Sequence, residues 1–303
     1  MKTAPECMAC YLRQTLQVAR IRSTDVQVHL TALRRVAELI TAMDMEHTPP
    51  ENSVSVYQTI AEITGCADPY LEIKQQSNEQ ALAILPDFKK ELSAGNDPLR
   101  AALRLAIGGN IIDYGAMHSF DVNAALARCL KAPLVIDHSR ELLEQARNLG
   151  KGAKVLYLAD NCGEIVYDSL VIEVLATMGL DVTVVVKSGP IINDALRADA
   201  HFCGIDKFAT ILENGTSCPG TPLDSCSAEL LQAFEDADLI ISKGQGNFET
   251  LSEAEAEIFF LLTVKCSVVG AHLAEISGAK GRDLPGNGEL VLFYYDPESV
   301  TAM

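Results

Sequence analysis

KVLYLADNCGEIVYDSLVIEVLATMG, residues 154–179, holds a change of period that decides the fold. Residues 154–159 form a short apolar run of the kind a buried strand makes. From Ile165 onward, Ile165, Leu170, Val171, Val174, Leu175 and Met178 recur roughly every three to four residues, as on a helix with a wide apolar face. Gly179 stands as a helix stop. Between strand and helix lie an acid and an amide, Asp160 and Asn161, followed by Gly163 and Glu164. In an open α/β sheet that turn belongs to the edge where ligands bind.

Working outward, strands and helices alternate from Leu134 to the end. Candidate strands are 154–159, 182–187, 208–212, 239–242, 259–264 with or without 267–270, and 290–294. Helical patterns fill most of the gaps, which argues for a largely parallel sheet. Upstream the chain reads as helix. Val28, Leu30, Leu33, Val36, Ala37 and Ile40 follow a helical period, and Val54, Tyr57, Ile60, Ala61 and Ile63 do so before Gly65. Asp68-Pro69 and Asp97-Pro98 look like helix starts with proline at the first helical position. Pro86 is expected to kink or end the helix it interrupts. The expected fold class is α/β: a Rossmann-like, mostly parallel sheet core over residues 106–303, with an N-terminal all-helical segment over residues 1–105.

Composition narrows the function. The chain has 303 residues, 41 acidic against 24 basic, for a formal charge of −17. That excess argues against nucleic acid or an anionic membrane as the main partner. It leaves room for a phosphorylated substrate, because a bound cation reverses the local sign. Nine cysteines without regular spacing read as reduced thiols, and MKTAPECMACYLRQTL at the start has no signal-peptide core, so a cytoplasmic location is expected. The most apolar stretch, 258–271, is broken by Lys265 and too short to span a bilayer. Nothing in the pattern addresses oligomeric state.

Three candidate strands end in polar loops: Asp160-Asn161-Cys162-Gly163-Glu164, then Lys187-Ser188-Gly189 with Asn193-Asp194 beyond, and Lys243-Gly244-Gln245-Gly246-Asn247. Taken singly, each reads as a helix cap or a turn. Together, at one sheet edge, they read as a site. Mg²⁺ or Mn²⁺ takes oxygen ligands and usually keeps waters or phosphate oxygens. Asp160 and Asp194 offer charge, and Asn161 a neutral oxygen. Lys187 and Lys243 are then expected to hold phosphate oxygens, with Gly189, Gly244 and Gly246 admitting backbone N–H groups to the anion.

These residues resemble the damage-control phosphatases, metal-dependent phosphatases with a helical segment and a Rossmann-like core. DNCGEIVYD (160–168) is similar to the family's first metal motif and KSGPIINDA (187–195) to its second. GNIIDYG (109–115) is similar to its Asn-x-x-Asp motif, KGQGNFE (243–249) to its phosphate loop, and ECMACYLRQ (6–14) to the Cys-x-x-Cys start of the microbial branch. The resemblance covers essentially the whole chain. It implies Asp160, Asn161 and Asp194 as ligands of a divalent metal ion (Mn, Mg, Co or Ni), Lys243 and Gly244 at the phosphate, and Asn110 and Asp113 near the substrate. The implied reaction is hydrolysis of small phosphate monoesters, sugar phosphates or damaged phosphorylated metabolites. Attack comes from water or from Asp160, the candidate nucleophile because it leads its motif. Two other classes compete. An S-adenosylmethionine-dependent methyltransferase usually wants more glycine in the first core turn than Asp-Asn-Cys-Gly provides. A non-catalytic metal- or metabolite-binding protein leaves two lysines beside the site without a purpose. Cys7 and Cys10 read as half a zinc site, a redox pair or two half-buried residues on one helix face. Cys162 reads as a turn residue, and His118 and His138 as structural or surface groups.

Overall fold

The computed structural model describes residues 1–94, 97–109, 130–278 and 284–298. Five helices come first: α1 (Pro5–Arg22), α2 (Val26–Ile40), α3 (Pro49–Thr64), α4 (Leu71–Ala94) and α5 (Pro98–Gly108). Their starts follow from local chemistry. Thr48 and Glu51 close a reciprocal capping box on α3, and the Asp97 side chain accepts from Arg100 N–H ahead of Pro98. Asp68-Pro69 does not open a helix: Asp68 instead accepts from Tyr70 N–H at 3.1 Å, and α4 begins two residues past the proline. Nor does Pro86 end α4. Ala81, Ile84, Phe88 and Leu92 put a buried stripe on both sides of it, and that packing carries the helix through a missing N–H.

The second part alternates β1 (Leu134–Asp137), α6 (Ser139–Asn148), β2 (Lys154–Leu158), α7 (Glu164–Thr177), β3 (Asp181–Val186), α8 (Arg197–Phe202), β4 (Thr210–Glu213), α9 (Ala228–Glu235), β5 (Leu239–Lys243), α10 (Gln245–Leu251), β6 (Ile258–Val264), α11 (Ser267–Ile276) and β7 (Glu289–Tyr295). The seven strands form one sheet in the order β1-β7-β6-β5-β2-β3-β4. From β6 to β4 all neighbours are parallel; β7 runs antiparallel to β6, and β1 parallel to β7. Residues 267–270, weighed as a strand, open α11 instead. Gly270 sits there because a Cβ would meet Leu284 C=O at 1.9 Å. Strand β1 escaped the sequence reading, being four residues long with one buried position.

This topology sets the site. The chain leaves β2 for β3 and β4 on one side, then returns to β5 and β6 on the other. The winding therefore reverses between β2 and β5, and a crevice opens where their C-terminal ends diverge. Alternation along β2 splits the core. Val155 and Tyr157 pack on α4, α5 and α7 with Phe88, Leu103 and Ile172, while Leu156 and Leu158 pack on the opposite face with Phe260, Val269 and Leu273. Helices α4 and α5 thus share the sheet's core, whereas Tyr11, Val18, Val36, Val56 and Ile60 give α1–α3 a cluster of their own. Among the described residues no helix is long and apolar enough to cross a membrane.

Candidate active site

Two sequence motifs meet through their backbones. Asn161 and Asp194 form an isolated antiparallel bridge, Cys162 N–H donates to Asn193 C=O at 2.8 Å, and Ala195 N–H donates to Asp160 C=O at 2.8 Å. The loop after β2 and the loop after β3 are thereby laced together, and Asp160, Asn161 and Asp194 become neighbours. Asp194 caps no helix: α8 starts later, with Leu196 at its N-cap, so Asp194's carboxylate is left for the cleft. All three residues line a cleft of about 570 Å³, closed from the other side by Cys7, Cys10, Arg13 and Gln14 of α1. The helical segment therefore supplies a wall of the site, as a small substrate requires.

Burial raises both carboxyls. Asp160 is pushed up to about 6 by desolvation and by the nearby Glu164, with Lys265, Lys187 and Lys243 opposing. Asp194 is held well above its ordinary value by desolvation and by Asp160. Asp194 Oδ2 is buried without a hydrogen-bond partner, and Lys187 Nζ stands 3.8 Å from it. Asn161 Nδ2 donates to Asp160 Oδ2 at 2.6 Å and to Glu164 Oε2 at 3.2 Å. Those acceptors fix the amide's orientation, because carboxylates cannot donate, and its Oδ1 is turned away from them. The donor set is therefore two carboxylates short of positive charge plus one amide oxygen, which fits a hard divalent cation that keeps further waters. Among the described residues no group of three or more His, Cys, Asp or Glu assembles for a metal, so Cys7 and Cys10 have no completed zinc site. They sit part-buried on one face of α1, as free thiols.

Neither Lys187 nor Lys243, expected at the phosphate, lines the cleft. Lys243 does not face the cleft: fully buried, its Nζ donates to Glu164 Oε1 and Asp168 Oδ1 at 2.6 Å each and to Ala106 C=O at 3.0 Å. Three acceptors saturate an ammonium. Lys187, also buried, donates to Gly220 C=O at 2.7 Å and Asn247 Oδ1 at 3.1 Å, beside Asp194. Both hold the carboxylates and helices around the site. Gly244 is likewise not a phosphate donor, since its N–H donates to Leu261 C=O at 3.0 Å. It is glycine for space, with φ at 83°: a Cβ would stand 1.9 Å from Asp160 Oδ2. Asn110 and Asp113 lie outside the described residues.

Sequence reading missed two cations that do line the cleft, Arg13 of α1 and Lys265. Lys265 is the first residue past β6, exposed, lining the cleft, and its charge acts on both Asp160 and Asp194. It also missed a brace from the helical segment: buried Asn78 of α4 accepts from Gly163 N–H at 2.7 Å and donates to Asp199 Oδ1 at 3.0 Å, tying α4 to the loop after β2 and to the first turn of α8. Cys162 is buried, its thiol pushed far up by desolvation, so it is a turn residue and no nucleophile. His138 accepts from Tyr294 N–H at 2.8 Å, a structural role; His118 lies outside the described residues.

Glu249 is a third buried carboxyl on the cleft, accepting from Gln245 Nε2 at 2.8 Å. Desolvation raises it from 4.5 to about 7. Between those values the native state keeps a proton that the unfolded chain has released, so stability falls as pH rises through the window. Glu249→Gln keeps the acceptor oxygen and removes that loss. Thermal melts at pH 4.5 and pH 8 should show the gap between variant and wild type widening at the higher pH, by on the order of 3 kcal/mol at most. A gap independent of pH would place the titration elsewhere.

With that geometry in hand, comparisons locate the chain among known proteins. Residues 3–280 match the model of the damage-control phosphatase ARMT1-like domain. The chain is 35% identical over 283 residues to a damage-control phosphatase of Pyrococcus horikoshii, covering 92% of this chain and 96% of that one. It is 32% identical over 277 residues to a damage-control phosphatase of Archaeoglobus fulgidus, covering 90% and 96%. The crystal structure of a DUF89 family protein from P. horikoshii superposes with a TM-score of 0.86 at 31% identity, over 98% of this chain and all of that one.

Proposed function

The chain belongs to the damage-control phosphatase ARMT1-like family, and from that premise we propose that it hydrolyses small phosphate monoesters in the cleft between α1 and the sheet edge, with a divalent cation held by Asp160, Asn161 and Asp194. One observation carries the reading: two buried carboxylates, one with an unpartnered oxygen, face the same cleft as the exposed Lys265, at the point where the sheet's winding reverses. When bound, the cation supplies Lewis-acid neutralisation of phosphate charge. Lys265 meets the outer phosphate oxygens as charge develops on them. Asp160, first in its motif, attacks phosphorus as the ester P–O bond breaks and the alcohol leaves, with water then opening the phosphoaspartate to free phosphate, or it aims a water that displaces the alcohol directly. Lys187 and Lys243, buried beneath, keep Asp194, Glu164 and through it Asn161 in position. Cys7 and Cys10 on the cleft wall support placing the chain in the microbial Cys-x-x-Cys branch.

The test is phosphate release from a panel of sugar phosphates by chelator-treated protein, with Mg²⁺, Mn²⁺, Co²⁺ or Ni²⁺ restored singly. No release with any ion would sink the reading, and release indifferent to chelator would remove the metal from it. Within that assay Lys265→Ala should lower kcat/KM roughly a hundredfold, the scale for losing one preorganised charge at the transition state. Being exposed, it should leave stability within about 0.5 kcal/mol of wild type. Undiminished turnover would return the phosphate to some other group.

A further inference from the structure

Ile192 carries the least comfortable backbone in the described structure. It is the one non-glycine residue there with a positive φ, at 42°. The left-handed region crowds Cβ against the main chain, and a β-branched side chain aggravates the clash. Its turn explains how it is trapped. Asp194 N–H donates to Ile191 C=O at 3.1 Å, closing a four-residue turn with Ile192 at the first central position, where a positive φ ordinarily calls for glycine. The bonds from Cys162 N–H to Asn193 C=O and from Ala195 N–H to Asp160 C=O then lock the turn to the loop carrying Asp160 and Asn161.

Glycine would make this turn without strain, so what isoleucine contributes is its side chain. Half-buried, it lines the catalytic cleft and also a second cavity of about 230 Å³, walled by Tyr57, Gln58 and Tyr70 of the helical segment and by Ser217. Ile192 alone, among the described residues, borders both spaces. We propose that Ile192 is a specificity-determining residue: its strained turn holds an apolar partition beside Asp194 that bars the leaving group from the second cavity and restricts the enzyme to compact phosphate esters. The inference rests on the phosphatase reading above and adds the side chain that sets the size limit.

The experiment compares wild type, Ile192→Ala and Ile192→Gly on glucose 6-phosphate and on 1-naphthyl phosphate, with the activating metal present, and records Tm for each protein. Both variants remove the partition, so both should raise the naphthyl-to-glucose ratio of kcat/KM roughly tenfold or more, the scale on which a pocket discriminates a few carbons. Only glycine also relieves the backbone, so Ile192→Gly should melt above Ile192→Ala despite its greater unfolded-state freedom. An unchanged ratio in variants that still release phosphate would overturn the inference and leave the phosphatase reading standing. Equal melting of the two variants would overturn the claim that strain holds the wall. A wild-type protein that releases phosphate from neither ester, nor from any member of the sugar-phosphate panel above, would overturn the phosphatase reading, and this inference with it.

Discussion

Asp160→Asn and Asp194→Asn should each abolish metal-dependent phosphate release, by on the order of a thousandfold or more, while making the metal-free protein more stable. The two effects share one cause. Each carboxylate is buried beside the other, and Asp194 Oδ2 has no hydrogen-bond partner. In the metal-free fold these charges are a liability, which is why burial lifts Asp160 to about 6 and, with Asp160 beside it, holds Asp194 well above its ordinary value. For Asp160 the native state retains a proton that the unfolded chain loses above about 3.8. Wild-type stability therefore declines as pH climbs from there to about 6, and the decline is complete above it. The asparagine variant lacks that decline and should gain about 1–3 kcal/mol at pH 8, with little gain near pH 3. Adding Mn²⁺ should raise wild-type Tm and leave both variants where they were, because only the intact pair binds the ion preferentially in the native state. Calorimetric melts with and without metal, beside the phosphate assay, read both halves. A variant that loses activity and also loses metal-free stability would mark these acids as structural, and a variant that keeps its metal shift would remove them from the ligand set.

What was legible in the chain, and what was not, divides along a physical line. The strand-turn-helix at residues 154–179 was readable because the apolar period changes from strand to helix across four residues, and local chemistry alone makes that pattern. The positions of Asp160 and Asn161 at the sheet edge came with it, since both lie just past a parallel strand; Asp194, eight residues beyond β3, reaches them only through its backbone bridge to Asn161. Direction was harder to read. Lys243 closes β5 and looks the same in sequence whether its ammonium leaves the sheet or folds beneath it. The deciding signal lay elsewhere: Glu164 and Asp168, four apart on α7, whose first nine residues are all buried. Two acids one turn apart on such a helix need a buried cation, and Lys243 is that cation. Lys265 failed for the opposite reason. It interrupts an apolar run and was weighed only as a break, yet it follows β6 as Asp160 and Lys187 follow β2 and β3, at the same edge. Asn78 offered no local signal. A polar residue within a helical pattern acquires its meaning from Gly163, 85 positions away, which only the fold brings to it.

Lys243→Met should then destabilise the protein by about 3–5 kcal/mol, the cost of breaking a buried ion pair by removing one partner. Its ammonium lies under a continuous set of contacts: Tyr157 OH donates to Asp168 Oδ1 at 2.8 Å, Asp168 and Glu164 both accept from Lys243, and Glu164 accepts from Asn161. Burial works against the lysine's charge, and the two carboxylates outweigh it, holding the ammonium charged. Methionine fills the stem's volume and leaves Asp168 and Glu164 without a counter-charge. Asp168 already sits at about 7 with the lysine present, raised first by burial, so without it the carboxyl must stay protonated to remain inside. Protonation limits the damage at low pH. Urea unfolding of metal-free protein should show a smaller loss at pH 5.5 than at pH 8, because the variant's native state holds a proton that its unfolded state has released across the wider range. Lys243→Met with Asp168→Asn should recover part of the loss, since the second change removes the acid that was stranded. A lysine whose task was to grip substrate phosphate would behave otherwise: its loss would spare stability at every pH and cut turnover alone, as expected of Lys265. The contrast between the two lysines separates the cation that builds the site from the cation that works in it.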